Sequence, residues 1–291
     1  LSHGFWKPDT STAGGNYGCS TVTVTSPDGA PLFGRNFDWE ECDKMLVHTI
    51  PKNGYESIAT CNLNFLGFGE DWKPDGSMGD KFMALASVYA ILDGMNEKGV
   101  SIAVLTLDSA PTRQSTGKPV ISTTLAIRLV LDRAATTQEA VDLLKGYDMF
   151  ASSGRDYHFY ITDASGDGRV IEYDCDDPAR GLVETKTEAV TNFFVMYKDK
   201  VLPNQKNGIY GHGRERYDAV LNVFQASAVH TNDTAWQALQ AAAQDPNPQD
   251  ITSNTQWSLN YNDTDLTVEI VLRRHWQDIF RYELNGNQIQ Q

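Results

Sequence analysis

The sequence predicts an α+β fold of layered antiparallel sheets covered by helices. Strand-like runs fill the beginning, the middle and the end of the chain, short turns separate them, and two pairs of apolar-periodic segments interrupt them. Short turns join antiparallel neighbours, and helices grouped between runs of strands pack onto sheet faces. No fixed-period repeat or low-complexity linker appears. The reading is therefore one domain, residues 19–291, behind a leader, residues 1–18.

The leader (LSHGFWKPDTSTAGGNYG) reads as loop, with a Ser/Thr run and Gly14-Gly15-Asn16, and it lacks the apolar stretch of a secretory signal. A start at Leu1 instead of Met is read as a missing upstream segment. The compartment stays open, leaning to secreted or periplasmic. Regular structure is expected from Cys19. Ser20 to Ser26 alternates Val22 and Val24 with polar residues, Pro27-Asp28-Gly29 turns the chain, and Leu32 to Trp39 returns. This makes a hairpin with Cys19 at its open end.

Further strands are expected over Phe82 to Tyr89, Gly99 to Leu107, Tyr157 to Thr162 and Arg169 to Tyr173. The last two are joined by Gly166-Asp167-Gly168. The final third adds Gln256 to Tyr261, Leu266 to Leu272 and Gln277 to Leu284 as a meander. Ser122 to Ala135 reads as a helix, and Thr136 with Glu139 forms a capping box for another carrying Val141 and Leu144. Glu215 to Gln225 and Ala235 to Ala243 read as a second helical pair.

Composition removes several functions. Net charge is −14 and the isoelectric point about 4.8, with no basic block, so the phosphate-neutralising surface of a nucleic-acid binder is absent. Mean hydropathy is −0.40 and no apolar run approaches the roughly 20 residues that cross a bilayer. Cys42, Cys61 and Cys175 show no C-x-x-C spacing, and the six histidines form no H-E-x-x-H, so no metal or other cofactor is expected. A serine nucleophile elbow, G-x-S-x-G, is also missing.

Cys19 has two readings. As an ordinary free cysteine it is a small buried hydrophobe. As a nucleophile it would take its own α-amino group as base once the Gly18–Cys19 bond is cut, because an α-amine titrates near neutral pH and needs no histidine. Arg35 and Asp38 lie 16 and 19 residues on, in Phe33-Gly34-Arg35-Asn36-Phe37-Asp38, and the hairpin returns them beside Cys19.

These offsets, with Asp28-Gly29 between them, resemble the N-terminus of the choloylglycine hydrolase and penicillin V acylase family. Its members are N-terminal-nucleophile hydrolases of linear amides. The resemblance continues in order through Asp93-Gly94-Met95-Asn96-Glu97-Lys98-Gly99, which by its residues alone reads as a turn before the next strand, His158 to Gly166 with Glu172, Val190-Thr191-Asn192, Arg216-Tyr217 and Thr255 to Ser258 with Tyr261. It implies a four-layer αββα sandwich of two antiparallel sheets. It also implies a site of Cys19, Arg35, Asp38, Asn192 and Arg216. Asn192 would donate to the oxyanion of the attacked amide. Asp38 would hold the Cys19 amine, and the two arginines would orient Asp38 and lower the thiol pKa.

Three departures from the bile salt hydrolases accompany the likeness. Thr106 stands where they carry an asparagine, so its hydroxyl or a backbone N–H would be the second oxyanion donor. Only 24 residues separate Asn192 from Arg216, too few for their assembly loop, which leaves homo-oligomer formation open. The Gly18–Cys19 junction behind a leader resembles that of acyl-CoA:isopenicillin N acyltransferase. The expected activity is self-processing followed by hydrolysis of a small N-acyl amide of penicillin V, conjugated bile acid or N-acyl amino acid type. The alternatives are acyl transfer to an amine or CoA, and a silent binding protein on the same fold. Leu63 to Phe82, with Phe65, Leu66, Phe68, Trp72 and Met78, reads as cleft lining or as core.

Overall fold

A computed structural model of the protein describes residues 18–66, 76–284 and 286–290. The leader's residues 1–17 lie outside that range, as do Phe68 and Trp72 of the expected cleft. The chain opens with the hairpin β1 (Cys19–Thr25) and β2 (Pro31–Asp38), in which Cys19 pairs with Phe37 and Thr21 with Arg35. It continues through β3 (Lys44–Thr49), β4 (Ser57–Asn62), α1 (Met78–Ala86), β5 (Ile91–Asn96) and β6 (Ser101–Leu107). A short parallel pair, β7 (Val120–Ser122) and β8 (Asp148–Phe150), flanks α2 (Thr123–Arg133) and α3 (Thr137–Lys145). Next come β9 (Asp156–Thr162), β10 (Arg169–Tyr173), β11 (Leu182–Lys186) and β12 (Ala189–Val190). The helices α4 (Arg214–Ala226) and α5 (Asn232–Ala242) precede β13 (Thr255–Asn262), β14 (Thr267–Leu272), β15 (Ile279–Glu283) and β16 (Gly286–Gln290).

Two seven-stranded antiparallel sheets result. One runs β12-β1-β2-β13-β14-β15-β16 and the other β11-β10-β9-β6-β5-β4-β3. They stack face to face, with Phe33 of the first sheet over Tyr160 of the second at 5.7 Å between ring centres. The pair α4 and α5 covers the outer face of the first sheet, while α2 and α3 cover that of the second. The order of layers is helix, sheet, sheet, helix, as expected.

The strand period explains why the inner faces are apolar. Phe33, Tyr160 and Tyr261 are buried between the sheets, while Val22, Ile102 and Ile161 are buried on the helix-covered faces. Helix α3 begins at the predicted cap, where the Thr136 side chain accepts from the Glu139 N–H. Glu139 itself reaches back to the N–H of Ala135, one residue earlier than a capping box requires.

Two local expectations are overturned. Phe82 to Tyr89 is not a strand: it falls in α1 and a following 3₁₀ turn, started by Ser77, whose side chain accepts from the Asp80 N–H. An uninterrupted apolar run suits either state, and the cap settled it. Asp93 to Asn96 is not turn but the end of β5. The turn is confined to Asn96–Gly99, where the Gly99 N–H donates to the Asn96 carbonyl.

Leu131 on α2 is fully buried against the second sheet. Leu131→Ala should cost about 2–5 kcal/mol, the usual range for emptying a core leucine site. Urea unfolding reads this as a lowered midpoint at unchanged slope. A loss below about 1 kcal/mol would mean that the helix collapses onto the sheet.

Candidate active site

The site forms where the register of three strands brings distant residues level. Thr21 pairs with Val190, so continuing that antiparallel register sets Asn192 opposite Cys19. The Cys19 backbone N–H donates to Asn192 Oδ1 at 2.7 Å. Arg216, in the first turn of α4, donates to the same Oδ1 at 2.8 Å and to the Cys19 carbonyl at 2.8 Å. Asn192 Nδ2 donates to the Thr106 carbonyl at 2.9 Å, which leaves its second hydrogen available. Two donors on Oδ1 and a carbonyl on Nδ2 define the orientation of the amide.

Alternation along β2 sends Arg35 and Phe37 to the face between the sheets, and Asn36 and Asp38 to the helix side. Arg35 is fully buried. Its Nη1 donates to the Val104 carbonyl at 2.7 Å, its Nη2 lies 3.7 Å from Cys19 Sγ, and its Nε lies 2.9 Å from Asp93 Oδ2. The carboxylate partner of Arg35 is thus Asp93, not Asp38, and the expectation that Arg35 orients Asp38 is corrected. Asp93 is held in turn by Thr60 Oγ1 at 2.8 Å and the Tyr261 hydroxyl at 3.0 Å.

Asp38 accepts from Thr255 Oγ1 and Gln244 Nε2, each at 2.6 Å, and forms an ion pair with Arg216 at 3.8 Å. Burial pushes its carboxyl up, against the pull of Arg216 and these two donors. Its backbone N–H donates to the Gly18 carbonyl at 3.0 Å. A Cβ at position 18 would stand 1.8 Å from Gln244 Nε2 and 2.6 Å from Asp38 Oδ2, so any residue larger than glycine would have to displace these side chains.

Burial also pushes the Cys19 thiol up, and the positive charges of Arg35 and Arg216 only partly offset it. The expected net lowering by the two arginines is therefore corrected, because desolvation of a buried thiolate outweighs them. The thiol is protonated near neutral pH, so attack by sulfur requires a base. Burial takes the thiols of Cys42 and Cys61 up to about 12.

A cavity of about 170 Å³ opens beside Cys19 and includes Thr106 in its wall. Phe37, Trp39, Phe65, Leu92 and Val104 make much of that wall apolar. Phe65 therefore takes the cleft role expected of its segment. Leu66 is buried in the core, and Met78 is exposed on α1.

Sequence reasoning passed over several supporting groups. Gln244 has no local signature, since its contact with Asp38 spans 206 residues. Asp93 did carry a signal, an acidic residue directly after Ile91-Leu92. In the sequence His158 and Glu172 stand out only as parts of a hairpin. His158 Nε2 meets the Thr191 carbonyl at 2.9 Å, and Glu172 accepts the N–H groups of Val195 and Met196, so together they brace the segment carrying Asn192. Gly211 packs behind Asn192, where a Cβ would stand 2.1 Å from the Asn192 carbonyl oxygen.

Solved structures share this architecture. A variant of the conjugated bile acid hydrolase of Clostridium perfringens matches with a TM-score of 0.67 at 17% identity, over 94% of this chain and 95% of that one. A second variant of that enzyme gives 0.68 at 16% identity, over 94% and 96%. The penicillin V acylase of Agrobacterium tumefaciens gives 0.64 at 16% identity, over 91% and 86%. The fold is that of the N-terminal-nucleophile hydrolases. Within it, the family model for linear amide C–N hydrolases, choloylglycine hydrolase family, matches residues 19–178, more than half of the sequence. The protein belongs to the choloylglycine hydrolase family and is a hydrolase of linear amide C–N bonds.

Asp93→Asn should strand the Arg35 guanidinium and cost about 3–5 kcal/mol, the usual penalty for breaking a buried pair. Adding Arg35→Met should recover most of that loss, since an apolar replacement of the whole pair is often neutral. Chemical denaturation of the single and double variants measures both. A double variant no more stable than Asp93→Asn would show that the charge was not the problem.

Proposed function

We propose that the protein is a self-processing cysteine N-terminal-nucleophile amidase. Cys19 Sγ is its nucleophile and the freed Cys19 α-amine its base. The supporting observation is the convergence on Cys19: Arg35 beside its sulfur, Asn192 and Arg216 on its backbone, and a Gly18 packed against Gln244 and Asp38. The reading takes residues 1–18 as the leader and residues from 19 on as the catalytic domain.

In the intact chain the Cys19 nitrogen is an amide and cannot take a proton. Attack of Sγ on the Gly18 carbonyl carbon breaks the Gly18–Cys19 C–N bond and forms a thioester, the thiol proton passing to the departing Cys19 nitrogen. The Asp38 N–H already donates to that carbonyl oxygen and stabilises the charge it gains. Water then hydrolyses the thioester, releasing the leader and leaving the α-amine free.

In turnover the α-amine takes the thiol proton as sulfur attacks the acyl carbon of the substrate. The second Nδ2 hydrogen of Asn192 serves the oxyanion, with Thr106 as the second donor. Collapse of the intermediate breaks the C–N bond, and the ammonium proton goes to the leaving amine. Water, deprotonated by the same amine, hydrolyses the thioester and restores the thiol. Asn192 Oδ1 accepts from the Cys19 nitrogen, Arg216 holds the Cys19 carbonyl, and the Asp38 carboxylate supplies the negative charge that favours the ammonium. The apolar cavity receives the acyl group of a small N-acyl amide of the penicillin V, conjugated bile acid or N-acyl amino acid type.

Cys19→Ala should abolish hydrolysis of such amides and leave the chain at its full mass. Residual turnover within a few-fold of the parent would remove Cys19 from the mechanism. A protein beginning at Cys19, made by removal of an initiator Met, should be active without processing, whereas full-length protein shown by mass to be uncut should be inert. Equal turnover by both would mean that the α-amine is not the base.

A further inference from the structure

We propose that Gln244 is a positioning residue of the Cys19 centre, which holds the Asp38 carboxylate and would be displaced by any residue larger than glycine before the nucleophile. The proposal rests on the amidase reading above and adds a residue that neither the motifs nor the strand register indicated.

Gln244 is itself held from both ends. Its backbone N–H donates to Thr255 Oγ1 at 2.8 Å, and its carbonyl accepts the Thr255 N–H at 3.0 Å. Its side-chain Oε1 accepts from Ser253 Oγ at 2.5 Å, which turns Nε2 toward Asp38 Oδ2 at 2.6 Å. Thr255 Oγ1 takes the Gln244 N–H and passes its own hydrogen to Asp38 Oδ1 at 2.6 Å. The carboxylate is thus gripped on both oxygens by the segment 244–255, while Arg216 stands farther off at 3.8 Å. Two neutral donors at short range fix its direction, while the longer ion pair with Arg216 offsets part of its charge.

The same amide borders the bond to be cut. A Cβ on residue 18 would stand 1.8 Å from Gln244 Nε2 and 2.9 Å from its Cδ. The side chain that orients Asp38 therefore also favours the smallest residue at the junction. The two roles share one atom.

Gln244→Glu separates positioning from simple bracing, because it keeps the shape and makes the donor depend on pH. At acidic pH the new carboxyl shares one proton with Asp38 and still donates. As pH rises the proton leaves, and two negative charges face each other at hydrogen-bond distance. The experiment refolds full-length parent, Gln244→Ala and Gln244→Glu from urea and times cleavage at Gly18–Cys19 by intact mass.

Gln244→Ala should cleave at least about tenfold more slowly than the parent, as expected for a misplaced reacting group. Gln244→Glu should match the parent near about pH 5 and fall at least about tenfold behind by about pH 8. Rates within twofold of the parent for both variants at every pH would overturn the proposal. A parent that never cleaves would defeat the processing step and not Gln244. The judgement then passes to the protein beginning at Cys19, labelled at Cys19 with iodoacetamide across pH. There Gln244→Glu must raise the labelling midpoint above that of Gln244, and an unmoved midpoint overturns the proposal.

Discussion

A guanidinium with no solvent exposure lies between two stacked sheets, and the rest of the architecture has to satisfy it. Arg35 projects from the first sheet and is neutralised by Asp93 of the second, while its remaining donors reach a β6 carbonyl and the Cys19 sulfur. Removing such a charge from water costs several kcal/mol unless its partners are complete, so the two sheets must keep this spacing and this offset. Thr60 and Tyr261 complete the Asp93 end, one from each sheet. The pair that neutralises the charge also sets where the reactive sulfur stands.

Much of this was legible in the sequence. The hairpin of β1 and β2 could be read because Val22 and Val24 alternate with polar residues and Pro27-Asp28-Gly29 turns the chain. The helical pairs were visible from their periodicity and the Thr136 cap. Strands β3, β4 and β5 were not read, because Lys44 to Thr49 is half-exposed with mixed polarity and Asp93-Gly94 imitates a turn. Offsets placed Arg35 and Asp38 beside Cys19, the family resemblance added Asn192 and Arg216, and these side chains do converge. What offsets could not express was pairing. Nothing local says that Arg35 faces Asp93 across the sheets, or that a glutamine beyond α5 closes onto Asp38.

The electrostatics of the centre work against one another. Burial holds the Cys19 thiol and the Asp38 carboxyl toward their neutral forms, and nearby guanidinium groups pull both back. A thiol kept protonated in a water-poor site is protected from oxidation and from stray electrophiles. Under the proposed mechanism it becomes nucleophilic in turnover when the freed α-amine beside it takes its proton. That base is made once, by the chain's own cleavage.

Strand β1 has neighbours on both sides, β12 and β2, rather than lying at an edge. Chain ends ordinarily fray, opening and closing at little free-energy cost. A new terminus at Cys19 would instead be laced into a ladder on either flank, its side chain packed under a second sheet. Amide hydrogens along β1 would then exchange with solvent only when the whole domain opens, and the reactive end of the polypeptide would carry the full global stability of the fold. Heating such a protein would not loosen its working residue by degrees. The nucleophile would keep its place until the sandwich itself came apart.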